Sequence, residues 1–151
     1  IEDSLAGATS ERRPIADAAA RVAAARAAAD EAGVPLAINA RTDTLAGSPE
    51  NWSEAIDRAN AYVDAGATSV FILGLRTEQL VADAVAAVRA PIAVFAHPGY
   101  LPLSRLAELG VGRISFGPQI LGLTLAHLAD AAALLTARGE YPAELSYRYE
   151  L

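Results

Sequence analysis

The feature that most constrains this chain is an alternation, repeated along its length, of a short apolar run with a longer segment whose apolar residues recur at helical spacing. Pro14 suits the first turn of a helix, where its missing N–H is no loss. Ile15, Ala19, Val22, Ala25 and Ala29 then share a face, Asp17 and Arg21 form an i,i+4 pair, and Gly33 stands as a C-cap. Pro35 to Ala40 is a short apolar run followed by Arg-Thr-Asp, as expected of a strand buried on both faces. The unit recurs. Ser48 and Pro49 open a helix with Trp52, Ala55, Ile56, Ala59 and Val63 on one side, and Gly66 closes it before the strand Ser69 to Leu73. Thr77 caps a helix bearing Leu80, Val81, Ala84, Val85 and Val88, followed by the strand Ile92 to Ala96. Leu103 to Leu109 reads as a short helix, Arg113 to Phe116 as a brief strand, and Pro118 starts a last helix reaching about Ala137.

Short strands alternating with helices through short loops imply right-handed βαβ units, hence an α/β fold with a parallel sheet. Four strands follow the opening Ile1-Glu2-Asp3, which itself reads as the end of a fifth. A closed (β/α)8 barrel needs about 250 residues, so a chain of 151 is roughly half of one. An open doubly wound sheet satisfies the same pattern. Residues 1–140 read as one barrel-half domain and 141–151, with three tyrosines and weak periodicity, as a tail. The chain contains no methionine and is read as a piece of something longer. The last helix is apolar on more than one side, through Ile120, Leu121, Leu123, Leu125, Leu128, Leu134 and Leu135, which points to burial against a partner subunit in a homo-oligomer.

Composition narrows the function classes. Hydrophobic residues make up 53% of the chain, ample for a core, and no uninterrupted apolar run approaches the roughly 20 residues that cross a bilayer. A cytoplasmic enzyme without membrane or nucleic-acid partners is expected, because a net charge of -6 opposes attraction to DNA and anionic lipid. With no cysteine, neither a thiol nucleophile nor a cysteine-bound zinc is available within the chain.

In parallel α/β folds ligands bind at the carboxyl ends of the strands. Those ends carry Glu2 and Asp3, then Asn39, Arg41 and Asp43, then Gly74, then His97, then Ser115 and Gly117. Arg41 offers a planar fork of donors matching a carboxylate or phosphonate and is the leading substrate-binding residue; a purely structural pairing with Asp43 or Glu2 is the competing reading. Glu2 and Asp3 offer the hard oxygen donors that magnesium prefers. Adjacent strand residues face opposite ways, so one alone reaches the site, and Glu2 is chosen. His97 suits a general acid or base, or simply a loop hydrogen bond. Ser115 and Gly117 lie where barrels bind phosphate. Ser10 has no nearby signal for a nucleophilic triad.

Taken together, Ile1-Glu2-Asp3, Asn39-Ala40-Arg41-Thr42-Asp43 and Gly110-Val111-Gly112-Arg113-Ile114-Ser115-Phe116-Gly117 resemble the isocitrate lyase and phosphoenolpyruvate mutase family from residue 1 to about Tyr141. The resemblance implies a TIM-like barrel, of which this is the C-terminal half, with a last helix exchanged between subunits. It also implies Mg²⁺-dependent cleavage or rearrangement of a C–C or P–C bond beside a 2-oxo acid or its enolate. By resemblance Glu2 belongs to the carboxylate shell around Mg²⁺, through water, and Arg41 binds the substrate's anionic group, with the loop Ser4 to Arg13 as a gating lid. The sequence departs from the family's lyases in that loop, where Ser10 falls in place of their catalytic cysteine, and at Gly74 and Leu75, where they carry a glutamate. Serine is a poor proton donor in the cysteine's role, which disfavours isocitrate or methylisocitrate cleavage. The implied substrates are oxaloacetate-like or phosphonopyruvate-like; the alternatives are a non-catalytic half-barrel fragment or a small-anion-binding α/β domain.

Overall fold

The strands are three or four residues long and alternate with helices whose apolar faces form the core with them. The structure, a computed structural model, describes residues 1–5, 11–139, 141 and 143–145. The chain forms two compact units, Ile1–Ser115 and Phe116–Leu151, described in turn.

In the first unit the order is α1 (Ile15–Glu31), β1 (Asn39–Thr42), a 3-10 turn (Pro49–Asn51) running into α2 (Trp52–Asp64), β2 (Ser69–Ile72), α3 (Glu78–Ala87), β3 (Ile92–Phe95), α4 (Leu103–Glu108) and β4 (Arg113–Ser115). The four strands are parallel in the order β1-β2-β3-β4. Glu2 bridges Arg41 in parallel, with Arg41 N–H donating to the Ile1 carbonyl at 2.7 Å and Asp3 N–H donating to the Arg41 carbonyl at 3.1 Å. The opening tripeptide, expected as the end of a fifth strand, thus pairs with β1 through an isolated bridge outside the four strands. Thr77 caps α3 as expected, its side chain accepting from Leu80 N–H.

Parity organises the sheet. Val70, Ile72, Ile92 and Val94 point to the helix side, where they form the main core with Ala55, Ala59, Val81, Ala84 and Leu106. A second cluster, Ala18, Val22, Ile38, Ala40, Tyr62 and Ala67, joins β1 to α1 and α2. Alanine dominates these helix faces, so the helices lie close to the sheet and little side-chain entropy is lost. By alternation, Asn39, Arg41, Ser69, Phe71, Ala93, Phe95, Arg113 and Ser115 take the opposite face, and the register sets Arg41, Phe71, Ala93 and Arg113 at one level across it.

β1 differs from the expectation. The apolar run suggests Pro35 to Ala40, whereas the strand is Asn39–Thr42 and both Val34 and Leu36 are exposed. Pairing decides this: Ile1–Asp3 on one side and Ser69–Ile72 on the other offer ladder partners through Thr42, while the Leu36 carbonyl is taken by the Arg26 guanidinium at 2.6 Å.

The second unit is chiefly α5 (Gln119–Arg138), stopped by Gly139 at φ 67° with its N–H donating to the Leu135 carbonyl. No α5 side chain is buried, and Leu121, Leu123 and Leu128 are all at least 60% exposed. By length and composition alone the helix could cross a membrane, although the sequence shows no uninterrupted apolar run of that length. A second 3-10 turn, Ala143–Leu145, lies in the tail.

Candidate active site

Parity places Glu2 beside Arg41 on the sheet face opposite the helix-side core, and sends Asp3 into the helix layer. Arg41 uses its fork on Asp43: Nε to Oδ1 at 2.6 Å and a terminal nitrogen to Oδ2 at 3.0 Å. Its other terminal nitrogen lies 3.4 Å from Glu2 Oε2, and the guanidinium sits 5.5 Å from the centre of the Phe71 ring. The hydrogen bond to Asp43 raises the Arg41 pKa further, against the effect of burial. Asp43 is buried and also accepts from Ser4 Oγ at 3.0 Å. The structural pairing weighed from sequence is therefore present. It leaves donors of the five-donor guanidinium for a further anion, and the side chain is about one-third exposed.

The remaining sequence candidates are dispersed. Asn39 opens its strand rather than closing it, and its Oδ1 accepts from Ser69 Oγ at 2.8 Å. His97 follows β3 with Nδ1 2.6 Å from the Pro98 carbonyl and its ring 5.1 Å from that of Tyr100, the local loop arrangement considered from sequence. Ser115 ends β4 opposite Phe95, and its carbonyl accepts from Ala96 N–H. Gly117, at φ 49°, lies in the second unit. Ser10 lies outside the described residues. A cavity of about 160 Å³ opens beyond the carboxyl ends of β2 and β3, lined by Leu73, Gly74, Arg76, Phe95 and Tyr100 among others. Arg76 and Tyr100 carry no sequence signal that separates them from ordinary loop residues.

Sequence reasoning also missed a buried polar node. Asp3 is 2% exposed; its Oδ2 accepts from Tyr62 Oη at 2.8 Å and from Arg58 at 3.3 Å, and its Oδ1 from Asp43 N–H at 3.4 Å. Arg58 also donates to Glu54 at 2.8 Å and to the Arg13 carbonyl at 2.8 Å. Burial pushes the Tyr62 hydroxyl well above its usual range, so it remains a donor. Glu54, Arg58 and Tyr62 stand at i,i+4 steps on one helix face, a visible signal, but the partner that Arg58 and Tyr62 share is more than fifty residues away.

Among the described residues no three His, Asp or Glu side chains come together as a metal cage. Glu2 has the right donor chemistry for magnesium but supplies one carboxylate, since Asp3 is consumed in the helix layer and Asp43 by Arg41. The chain thus fits as a contributor to a metal shell, not as its whole.

Four parallel strands alternating with helices, and a charged set at their carboxyl ends, define an α/β architecture matching about half of a TIM barrel. The chain belongs to the phosphoenolpyruvate phosphomutase family, whose model matches residues 1–136. It is 32% identical over 111 residues to an uncharacterized protein of Mycobacterium tuberculosis, an alignment covering 73% of this chain and 43% of that protein. Two crystal structures from Burkholderia cenocepacia are similar. One is described as "a putative phosphonomutase" (39% identity, TM-score 0.82, 88% of this chain, 55% of that one) and the other as "a putative lyase/mutase" (28%, 0.85, 99% and 55%). A 2,3-dimethylmalate lyase of the PEP mutase/isocitrate lyase superfamily shares the fold at 22% identity and TM-score 0.83. The chain spans about half the length of these relatives.

Proposed function

We propose that this chain is the carboxyl half of a cytoplasmic, Mg²⁺-dependent (β/α)8 enzyme that cleaves or rearranges a C–C or P–C bond next to a small 2-oxo acid, oxaloacetate-like or phosphonopyruvate-like. The observation that carries the reading is the set Glu2, Arg41 and Asp43 at the carboxyl edge, with the Arg41 guanidinium 5.5 Å from the centre of the Phe71 ring and donors to spare. Family membership supports the reaction class, and a relative of the same fold, oxaloacetate acetylhydrolase, was solved with its product oxalate. In this reading Arg41 binds the substrate's anionic group, Asp43 holds the guanidinium in plane, and Glu2 contributes one carboxylate, through water, to the metal shell. Magnesium, when bound, supplies positive charge against the oxygens of the 2-oxo acid. Asn39, Ser115 and Gly117 complete the substrate side, while Ser10 and His97 are secondary candidates for proton transfer. The last helix joins subunits.

The competing reading, a non-catalytic half-barrel or small-anion-binding domain, draws on the open sheet face and the single available metal carboxylate. An assay separates the two. The whole protein, with Mg²⁺ and then with EDTA, is followed by NMR for consumption of oxaloacetate, phosphonopyruvate and 2-methylisocitrate and for the products that appear, beside an Arg41→Ala variant. Metal-dependent turnover on one of the first two, reduced at least about a hundredfold in the variant, is the expected result, since loss of a charged transition-state contact costs about 3 kcal/mol or more. Turnover on none of them, with the variant as stable as its parent, overturns the proposal.

A further inference from the structure

Asp3, Arg58 and Tyr62 lie outside the chemistry just described, yet they touch its frame at several points. The Asp3 N–H donates to the Arg41 carbonyl at 3.1 Å and the Asp3 carbonyl accepts from Arg13 N–H at 2.9 Å. Its side chain takes the Asp43 N–H, and Glu2 is its immediate neighbour in the strand. One residue therefore fixes the backbone at Glu2, at Arg41 and at Asp43. Its carboxylate is fixed in turn from α2, by Tyr62 Oη at 2.8 Å and Arg58 at 3.3 Å. A buried ion pair contributes little to net stability compared with apolar residues of equal volume, because desolvation offsets the attraction. What such a pair does supply is direction: two donors of fixed geometry allow the carboxylate one orientation.

We propose that Arg58 and Tyr62 are positioning residues: acting through the Asp3 carboxylate, they set the relative placement of Glu2, Arg41 and Asp43. The inference rests on the reading that Arg41 receives the substrate's anionic group. Neither α2 residue reaches the open face, so neither is a catalytic residue. The helix thereby holds the site from behind, through a side chain on the far side of the strand.

Tyr62→Phe is the informative variant, because the ring stays in the cluster with Ala18, Val22 and Ala40 and the hydroxyl alone is lost. Nitrogen-edited NMR of this 151-residue chain reads the Arg41 Nε–H and Asp43 amide directly. In Tyr62→Phe and Arg58→Lys both signals are expected to move or broaden while those of Val70 and Ile92 in the core stay in place. In the whole protein, titration with oxalate in the presence of Mg²⁺ is expected to show binding weakened about tenfold in both variants. Unmoved Arg41 and Asp43 signals overturn the positioning role, as does oxalate affinity equal to that of the unsubstituted protein. Signals that move as expected, with no oxalate bound by the unsubstituted protein, sink the functional reading instead and leave the geometric coupling standing.

Discussion

Tyr62 is the residue whose removal separates packing from polarity most cleanly. Its hydroxyl donates to a buried carboxylate, a charge-assisted bond worth about 1.5–3 kcal/mol, so Tyr62→Phe is expected to lower unfolding stability at neutral pH by an amount in that range. The pH dependence has a definite sign. Burial raises the Tyr62 pKa above its ordinary 10, so the unfolded chain releases this proton at a lower pH than the native state does. The stability conferred by the neutral hydroxyl is complete below pH 10 and falls as pH climbs beyond it. Urea unfolding at pH 8 and at pH 11 should show a smaller loss in Tyr62→Phe than in its parent; an equal loss contradicts the assignment. At this scale the sequence was legible in part. Alternation in a strand is enough to assign Glu2 to one face and Asp3 to the other, because the period of two needs no tertiary knowledge. The socket that receives Asp3 was not legible, since nothing local in Glu54, Arg58 and Tyr62 names a partner at residue 3.

Among the elements, helices and strands that pack on their own neighbours were readable to within a residue or two: Thr77 caps α3 as its hydroxyl suggests, and β2, β3 and β4 start at Ser69, Ile92 and Arg113 as expected. β1 was not, because its boundary follows ladder partners rather than hydropathy, and Arg41 and Thr42 belong to the strand despite being polar. The turn after β2 shows a different kind of constraint. Gly74 adopts φ +113°, and a side chain there would run into the Leu45 backbone, which packs directly over it. Gly74→Ala is therefore expected to cost about 1–3 kcal/mol, from a backbone conformation that L-residues rarely adopt added to the displacement of Leu45. Chemical denaturation measures it, and a loss below about 0.5 kcal/mol would show that the loop relaxes freely. Because Gly74 also lines the cavity beyond β2 and β3, the same variant should distort that cavity.

For the molecule as a whole, the dominant fact is uncovered apolar surface. α5 presents leucines on several sides and buries none of them, and on the sheet face opposite the helix-side core Arg41 and Phe95 are only half-buried and Arg113 is exposed, although Phe71 and Ala93 are buried. Self-association through α5 is expected: sedimentation at micromolar concentration should give a species larger than a monomer, and Leu123→Gln with Leu128→Gln should reduce its mass without loss of helix content. A monomer in both forms would contradict a docking role for this helix. The fold class was legible from alternation alone because each βαβ unit is local, whereas the choice between a closed barrel and an open sheet depends on strands that must close around the face bearing Arg41.

A slip of the Ile1–Asp3 segment by one residue along β1 would exchange the two acids, pushing the longer glutamate into the socket of Arg58 and Tyr62 and stranding aspartate on the open face. The register is thus keyed by an acid that takes no part in the proposed reaction. A slipped register would therefore cost folding stability, by burying a misfit glutamate between Arg58 and Tyr62, as well as displacing Glu2 from its place beside Arg41.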